Sequence, residues 1–345
     1  MERTGKIFLF FILFLLVLLT IGYSSCQSGN NNSEELNISV EDTTAVTHHE
    51  EERKVLTGKD IRLEKNIRYD KYLLEDEYSY KDTIRYFQWE KIQEQIAVIE
   101  NAMAEEGNWG VLSNYRNMNK EAPTVANFVR NEYKMVTDQF GVERYQSAPL
   151  YSVDGDTTLL RYGRDGWIVR LPGNDTTEMV KVKGVSFKGE FLVPQRYLIP
   201  WGDSIRFDKV VAVDVTNQNI STLEKTGDTW HILSMNHATT GVHNPPYAHE
   251  TPIGIFAIQE KKIKMFYTKD GSSELAGFAP YASRFTNGAY VHGIPTQYPN
   301  KSIIESSPTL GTIPRSHMCV RNASSHSKFI FEWATVKQAI VIVID

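Results

Sequence analysis

The sequence predicts an α+β multidomain protein with a helical N-terminal region, a small β-barrel in the middle and a β-rich C-terminal domain. Three patterns predict it. Within residues 82–106, Ile84, Phe87, Ile92, Ile96, Ile99 and Met103 recur at spacings of three to five with charges between them, which is the pattern of an amphipathic helix. From about residue 146, short runs are broken by turn signals: Asp154-Gly155, Gly163, Asp165-Gly166, Pro172-Gly173-Asn174 and Gly184. The segment 208–345 opens with Val210-Val211-Ala212-Val213 and closes with Ile340-Val341-Ile342-Val343-Ile344. Such β-branched runs suit strands buried on both faces.

Composition bounds the function. The 345 residues carry 37 Lys+Arg against 42 Asp+Glu, a net charge of −5, and 41% are hydrophobic. That is globular composition, and without a long basic run it excludes a dedicated nucleic-acid binder. Two cysteines, Cys26 and Cys319, are too few for a disulfide scaffold. At roughly 100–200 residues per domain, the length allows about two domains.

At the N-terminus, Arg3 and Lys6 precede an apolar stretch at 7–19 and the small residues Gly22, Ser24 and Ser25. A charged n-region, an h-region and a processing site predict a signal peptide over 1–25. The apolar stretch falls short of the ~20 residues of a spanning helix. Cys26, just before a polar tract that begins Gln27-Ser28-Gly29-Asn30, resembles the processing site of bacterial lipoproteins, in which the cysteine after the cut carries the lipid. Tyr23 stands where that pattern usually has an aliphatic residue. The resemblance implies lipidation at Cys26 and an exported, periplasmic, membrane-anchored protein of a bacterial envelope. The disordered polar linker over 26–61 then acts as a leash. Plain signal cleavage nearby, with Cys26 lost or left free, is the alternative. With Cys26 acylated or removed, Cys319 has no intrachain partner in a compartment where paired cysteines would oxidise.

Residues 62–145 read as helical. A second helix begins near Pro123, turns Val125, Phe128, Val129 and Val136 inward, and stops at Gly141. Residues 146–203 read as the small β domain. Its Trp167-Ile168-Val169-Arg170 and the Pro194-Gln195-Arg196-Tyr197 that closes it resemble the central tryptophan and Pro-x-x-Tyr of SH3-like barrels. That resemblance implies either a grip on wall peptides or a packing spacer. Residues 208–345 are long enough for a core of their own.

The chemistry concentrates in Tyr290-Val291-His292-Gly293 and Ser316-His317-Met318-Cys319-Val320-Arg321. A cysteine with pKa ~8.5 is only a few per cent thiolate at neutral pH, so a nucleophilic Cys319 needs a base or a lowered pKa. Residues 290–292 read as a strand end that fixes His292, which can reach Cys319 across a turn as general base and then general acid. The helix expected over 328–333 lends the positive end of its dipole to the thiolate. Backbone N–H groups around His317, Met318 and Cys319 suit a tetrahedral oxyanion.

These motifs resemble the L,D-transpeptidases of bacterial cell walls, the YkuD type, whose signature is His-Gly, a loop, and Ser-His-Gly-Cys-x-Arg. The likeness runs over 209–345 and includes Thr216-Asn217-Gln218, Thr239-Thr240-Gly241 and Thr251-Pro252-Ile253-Gly254-Ile255-Phe256. It implies Cys319 as nucleophile, His292 as base oriented by the Gly293 carbonyl, and Arg321 and Ser316 on the substrate, without metal or cofactor. The implied substrate is the peptidoglycan stem peptide. The implied reaction is a 3–3 cross-link, or attachment of a protein to the wall, through a cysteine acyl-enzyme in cell-wall biogenesis.

Two features depart from the family pattern. Met318 stands where glycine is usual, and the 293–315 loop, with Pro295, Pro299, Pro308 and Pro314, is longer than the usual gap. Three alternatives follow. With water as acceptor, the same residues make an L,D-carboxypeptidase. With the site disabled by Met318, the chain is a silent wall-binding lipoprotein. A zinc hydrolase built on His231, His237, His243, His249 and Glu250 is a third, but a repeated spacing of six is wider than usual for ligand pairs and no His-Glu-x-x-His is present.

Overall fold

The computed structural model describes residues 54–154, 157–173 and 178–345. The signal segment, Cys26 and the leash up to residue 53 lie outside the described residues. Within the last part of the expected linker, 54–61, the chain is already engaged. The Leu56 N–H donates to Asn101 Oδ1 at 2.8 Å, Asn101 Nδ2 donates to the Leu56 carbonyl at 2.8 Å, and Ile61 is buried.

Of the two helices expected in the N-terminal region, one forms. Helix α1, Trp89–Met103, buries Ile92, Ile96 and Ile99 along the expected stripe, but it begins later than residue 82: Ile84, expected on that stripe, lies in the strand Thr83–Tyr86 and is exposed. The second, over 123–141, is replaced by turns and a short hairpin of Val129–Arg130 with Val136–Thr137. The reason is local competition for backbone groups. Asn131 Oδ1 accepts from the Met135 N–H at 2.9 Å, and Asp138 Oδ1 accepts from the N–H groups of Phe140 and Val142, each at 2.9 Å. Phe128 and Val129, expected inside, are exposed.

The expected SH3-like barrel does not close among the described residues. Its strands belong to a seven-stranded sheet in the order Leu198–Gly202, Asn108–Leu112, Ile168–Leu171, Met179–Gly184, Glu190–Pro194, Ser147–Tyr151, Leu159–Arg164. Asn108–Leu112, from the region read as helical, inserts between two of these strands, so the two ends of the path lie far apart in strand order.

A six-stranded sheet carries the C-terminal core. Its order is Arg62–Lys65, Thr229–His237, Asn219–Thr226, Lys209–Asp214, Ala339–Ile344, Gly254–Ala257. Lys209–Asp214 and Ala339–Ile344 run parallel at its centre, and all six residues of the latter are buried. A third sheet holds Glu260–Thr268, Leu275–Thr286, Ala289–His292 and Val320–Arg321, with Thr296–Gln297 alongside Leu275–Thr286. Residues 53–345 form one compact unit, whose two main core clusters each take side chains from both sides of residue 203.

Asp165 joins these parts. Its fully buried carboxylate accepts from the N–H groups of Asn114 at 2.9 Å and Asn287 at 3.0 Å, from Gln259 Nε2 at 3.1 Å, and from the buried Arg284 guanidinium. Removing one partner of a buried pair strands the other charge, at a cost of about 3–5 kcal/mol. We therefore expect Asp165→Ala to lower the unfolding free energy in a urea titration by about that amount. A loss within the ~0.5 kcal/mol of an ordinary surface substitution would contradict this account of the junction.

Candidate active site

Strand pairing decides which side chains meet. Ala289–His292 and Val320–Arg321 are parallel, with Val291 opposite Val320 and His292 opposite Arg321. Val291 and Val320 point into the hydrophobic core. Because side chains alternate along a strand, Tyr290, His292, Cys319 and Arg321 share the other face. All four line one cavity of about 1290 Å³. Cys319 and His292 are diagonal neighbours there, about 8 Å apart at Cα from the strand spacing and rise.

His292 is 2% exposed, and its Nδ1–H donates to the Gly293 carbonyl at 2.6 Å. That bond fixes the tautomer with Nε2 bare and able to take a proton. Gly293 is required by close approach, since a Cβ there would lie 2.5 Å from Ser324 Oγ and 2.8 Å from Pro280 Cγ. Burial pushes the imidazole down to about 4, against the smaller raising effect of the Gly293 carbonyl.

Burial also pushes the Cys319 thiol up, with the Tyr290 backbone and Arg321 acting the other way. The helix expected over 328–333 begins four residues earlier. Helix α2, Ser324–Trp333, starts five residues beyond Cys319 with the strand Val320–Arg321 between them, and a dipole's influence falls off within the first turn. Burial thus favours the neutral form of both side chains. The thiol donates to the Gly288 carbonyl at 3.5 Å.

Ser316 lines the cavity, but its hydroxyl donates to the Cys319 carbonyl, which makes it a brace of the cysteine turn. Its backbone is held as well, with its N–H on the Thr240 carbonyl at 3.0 Å and its carbonyl on the Val242 N–H at 3.0 Å. Among the described residues, the N–H groups of His317, Met318 and Cys319 donate to no loop or turn carbonyl. His317 is exposed, its Nε2 3.1 Å from Asp270 Oδ2. Arg321 is half-buried, with no acidic partner among the described residues, and its buried Nε has no hydrogen-bond partner.

Met318 takes φ +95°, the backbone region that favours glycine. The turn keeps that shape because Thr251 Oγ1 donates to the Met318 carbonyl at 2.8 Å while accepting from the Gly241 N–H at 2.8 Å. A Cβ at Gly241 would come within 2.8 Å of Met318 Cα, so the two backbones touch. Left-handed strain at a non-glycine residue costs about 1–3 kcal/mol. Relief of that strain, less the unfolded-state entropy of glycine and some lost packing, should make Met318→Gly more stable by about 1 kcal/mol in urea. Met318→Val should be less stable than the parent, and equal stability of all three chains would remove the strain argument.

The histidine tract gathers only in part, with His243, His249 and Glu250 around Tyr133. His237 packs edge-on against Tyr78, His243 lies between Glu132 and Glu250, and His249 stacks on Tyr133. Among the described residues no group of three or more His, Cys, Asp or Glu is placed to hold a metal ion.

Sequence reasoning missed Tyr290, which the period-two alternation with His292 would have found. It also missed Tyr115 and Arg116, which reach the cavity from outside the C-terminal domain and have no local signal.

Residues 208–343 match the model of the YkuD family, the L,D-transpeptidase catalytic domain. Among solved structures, the chain is similar to a fused Zn-dependent amidase/peptidase/peptidoglycan-binding domain-containing protein from Clostridium acetobutylicum. That match has 15% identity over 40% of this chain and 52% of the other, with a TM-score of 0.29, so the chain spans about half the length of that protein. It is also similar to an L,D-transpeptidase from Mycobacterium smegmatis at 16% identity, over 51% of this chain and 82% of the other, with a TM-score of 0.33. L,D-transpeptidase 3 from Mycobacterium tuberculosis is similar at 16% identity, over 45% and 74%, with a TM-score of 0.32. No curated protein matches.

Proposed function

We propose that this chain, whose residues 208–343 match an L,D-transpeptidase catalytic domain, is a peptidoglycan L,D-transpeptidase working through a Cys319 acyl-enzyme. It makes 3–3 cross-links or attaches a protein to the wall. The observation that carries this reading is His292 held as one tautomer by Gly293, its bare Nε2 on the same sheet face and in the same cavity as Cys319.

The Cys319 thiol leaves the Gly288 carbonyl by a χ1 rotation and gives its proton to His292 Nε2 as Sγ attacks the carbonyl carbon of the third stem residue. The oxyanion is met by the unengaged N–H groups of His317, Met318 and Cys319. The imidazolium then protonates the departing amine of the terminal D-alanine, the C–N bond breaks, and a thioester remains. An acceptor amine attacks the thioester, its proton passes to His292, the C–S bond breaks and Cys319 recovers its proton. Starting from neutral partners, the pair separates charge only during attack, which suits a buried site where a resting thiolate would be costly.

Arg321, without an acidic partner among the described residues, is suited to a stem carboxylate. Export, lipidation at Cys26 and anchoring at the periplasmic face of an envelope membrane belong to the same proposal.

The test is intact mass and product analysis after incubating the protein with a tetrapeptide-bearing muropeptide, with and without an acceptor amine. A cross-linked dimer supports the transpeptidase. Tripeptide alone in both arms makes the chain an L,D-carboxypeptidase, and absence of any product overturns the proposal.

A further inference from the structure

The cavity walls are strongly one-signed. Arg116, Lys262, Lys264, Lys269 and Arg321 line it against a single carboxylate, Asp270, in a chain whose net charge is −5. Lys262 and Lys269 are paired with Glu260 at 3.2 Å and Glu274 at 2.6 Å. Arg116, Lys264 and Arg321 are in no ion pair among the described residues, and Lys264 lies over the Phe278 ring at 4.6 Å. Two unengaged guanidinium groups thus face one space, Arg321 beside the nucleophile and Arg116 on the wall contributed by the seven-stranded sheet region.

Arg116 is held in place from several sides. Its backbone is left-handed at φ +54°, and its N–H donates to Gln146 Oε1 at 2.7 Å. Its guanidinium lies over the Tyr115 ring at 5.2 Å, and the Tyr115 ring is itself covered by the Arg284 guanidinium at 4.4 Å. Arg284 is fixed by Asp165. The side chain therefore rests on an aromatic platform tied to the buried core, while its charged end has no acidic partner among the described residues.

We propose that Arg116 forms a second carboxylate subsite, so that the substrate is a peptide carrying at least two free carboxylates. Arg321 holds the one near the scissile carbonyl and Arg116 holds a more distant one. The inference rests on reading the cavity as a peptide site. Its volume, above the ~300–1,000 Å³ of ordinary small-molecule sites, leaves room for an extended dicarboxylate.

The test is equilibrium binding to the full chain carrying Cys319→Ala, which isolates binding from turnover. The probes are a stem tetrapeptide with both carboxylates free and the same peptide amidated at the distant carboxylate. Charge-assisted bonds at a partly exposed site predict that Arg116→Gln weakens the dicarboxylate about five- to tenfold and leaves the amide unchanged. Arg321→Gln should weaken both, and Arg116→Lys should keep most of the discrimination. Equal weakening of the two peptides by Arg116→Gln, no weakening of either, or no binding by the Cys319→Ala chain would overturn the subsite. Normal discrimination with no turnover by the parent chain would instead refute the catalytic reading and leave the subsite standing.

Discussion

Replacing Cys319 by alanine should abolish product formation, with the rate falling by the ~10⁴-fold or more expected when a covalent route is lost. Cys319 is the free cysteine of the described residues, and it is buried against the core, so a methyl group in place of the thiol leaves a small void at most. The melting temperature should therefore stay near that of the parent while activity disappears. Kinetics with a tetrapeptide stem, alongside a thermal melt, checks both halves of this expectation. Residual activity within tenfold of the parent would show that another group attacks the carbonyl.

His292→Ala should lower kcat/KM by about 10²–10⁴, the range for loss of a positioned general base, with little change in KM because the imidazole touches the reacting proton only during attack. The pH dependence follows from burial. With the folded imidazole near 4, the base is free of its proton over almost the whole acidic range, so the acid limb of kcat/KM for the parent should have its midpoint near pH 4. An unburied histidine would put it near 6.5.

The fold itself responds to the same shift with a definite sign. His292 has a folded pKa below its unfolded value, so its neutral form stabilises the native state fully above about pH 6.5, and that contribution is lost as pH falls towards 4. His326, fully buried with Nε2 on Ser234 Oγ at 2.8 Å and depressed to about 3, adds in the same direction and over a longer range. The stability lost through His292 is of the order of 3 kcal/mol, so the acid limb must be measured on chain shown to be folded at each pH. An activity limb near 6.5 on folded protein would contradict the buried-base description.

Much of this site was legible because its chemistry is written locally. His292 at a strand end and Cys319 after a turn needed only alternation and a parallel pairing to line one cavity, and Met318 announced a positive φ by standing where glycine is usual. Helix α1 was legible for the same reason, since its stripe is continuous over four turns. The second expected helix was not, because Asn131 and Asp138 offer the backbone nearer partners than the next helical turn. The barrel failed at closure, which depends on a strand, Asn108–Leu112, inserted from outside the segment that carries the motif. A thiol lowered by a helix was one expectation, and burial of Cys319 among the cavity walls works against it. Arg116 and Tyr115 lay beyond reach altogether, since only the packing of the seven-stranded region against the third sheet brings them to the cavity.

The most direct measurement is the site of acylation. Chain quenched during turnover of a tetrapeptide stem should carry the acyl mass on the proteolytic fragment containing Cys319, labile to hydroxylamine as a thioester is, with far slower accumulation in His292→Ala. Acyl mass on another residue, or sustained turnover with Cys319 unmodified throughout, would contradict the nucleophile and base described here.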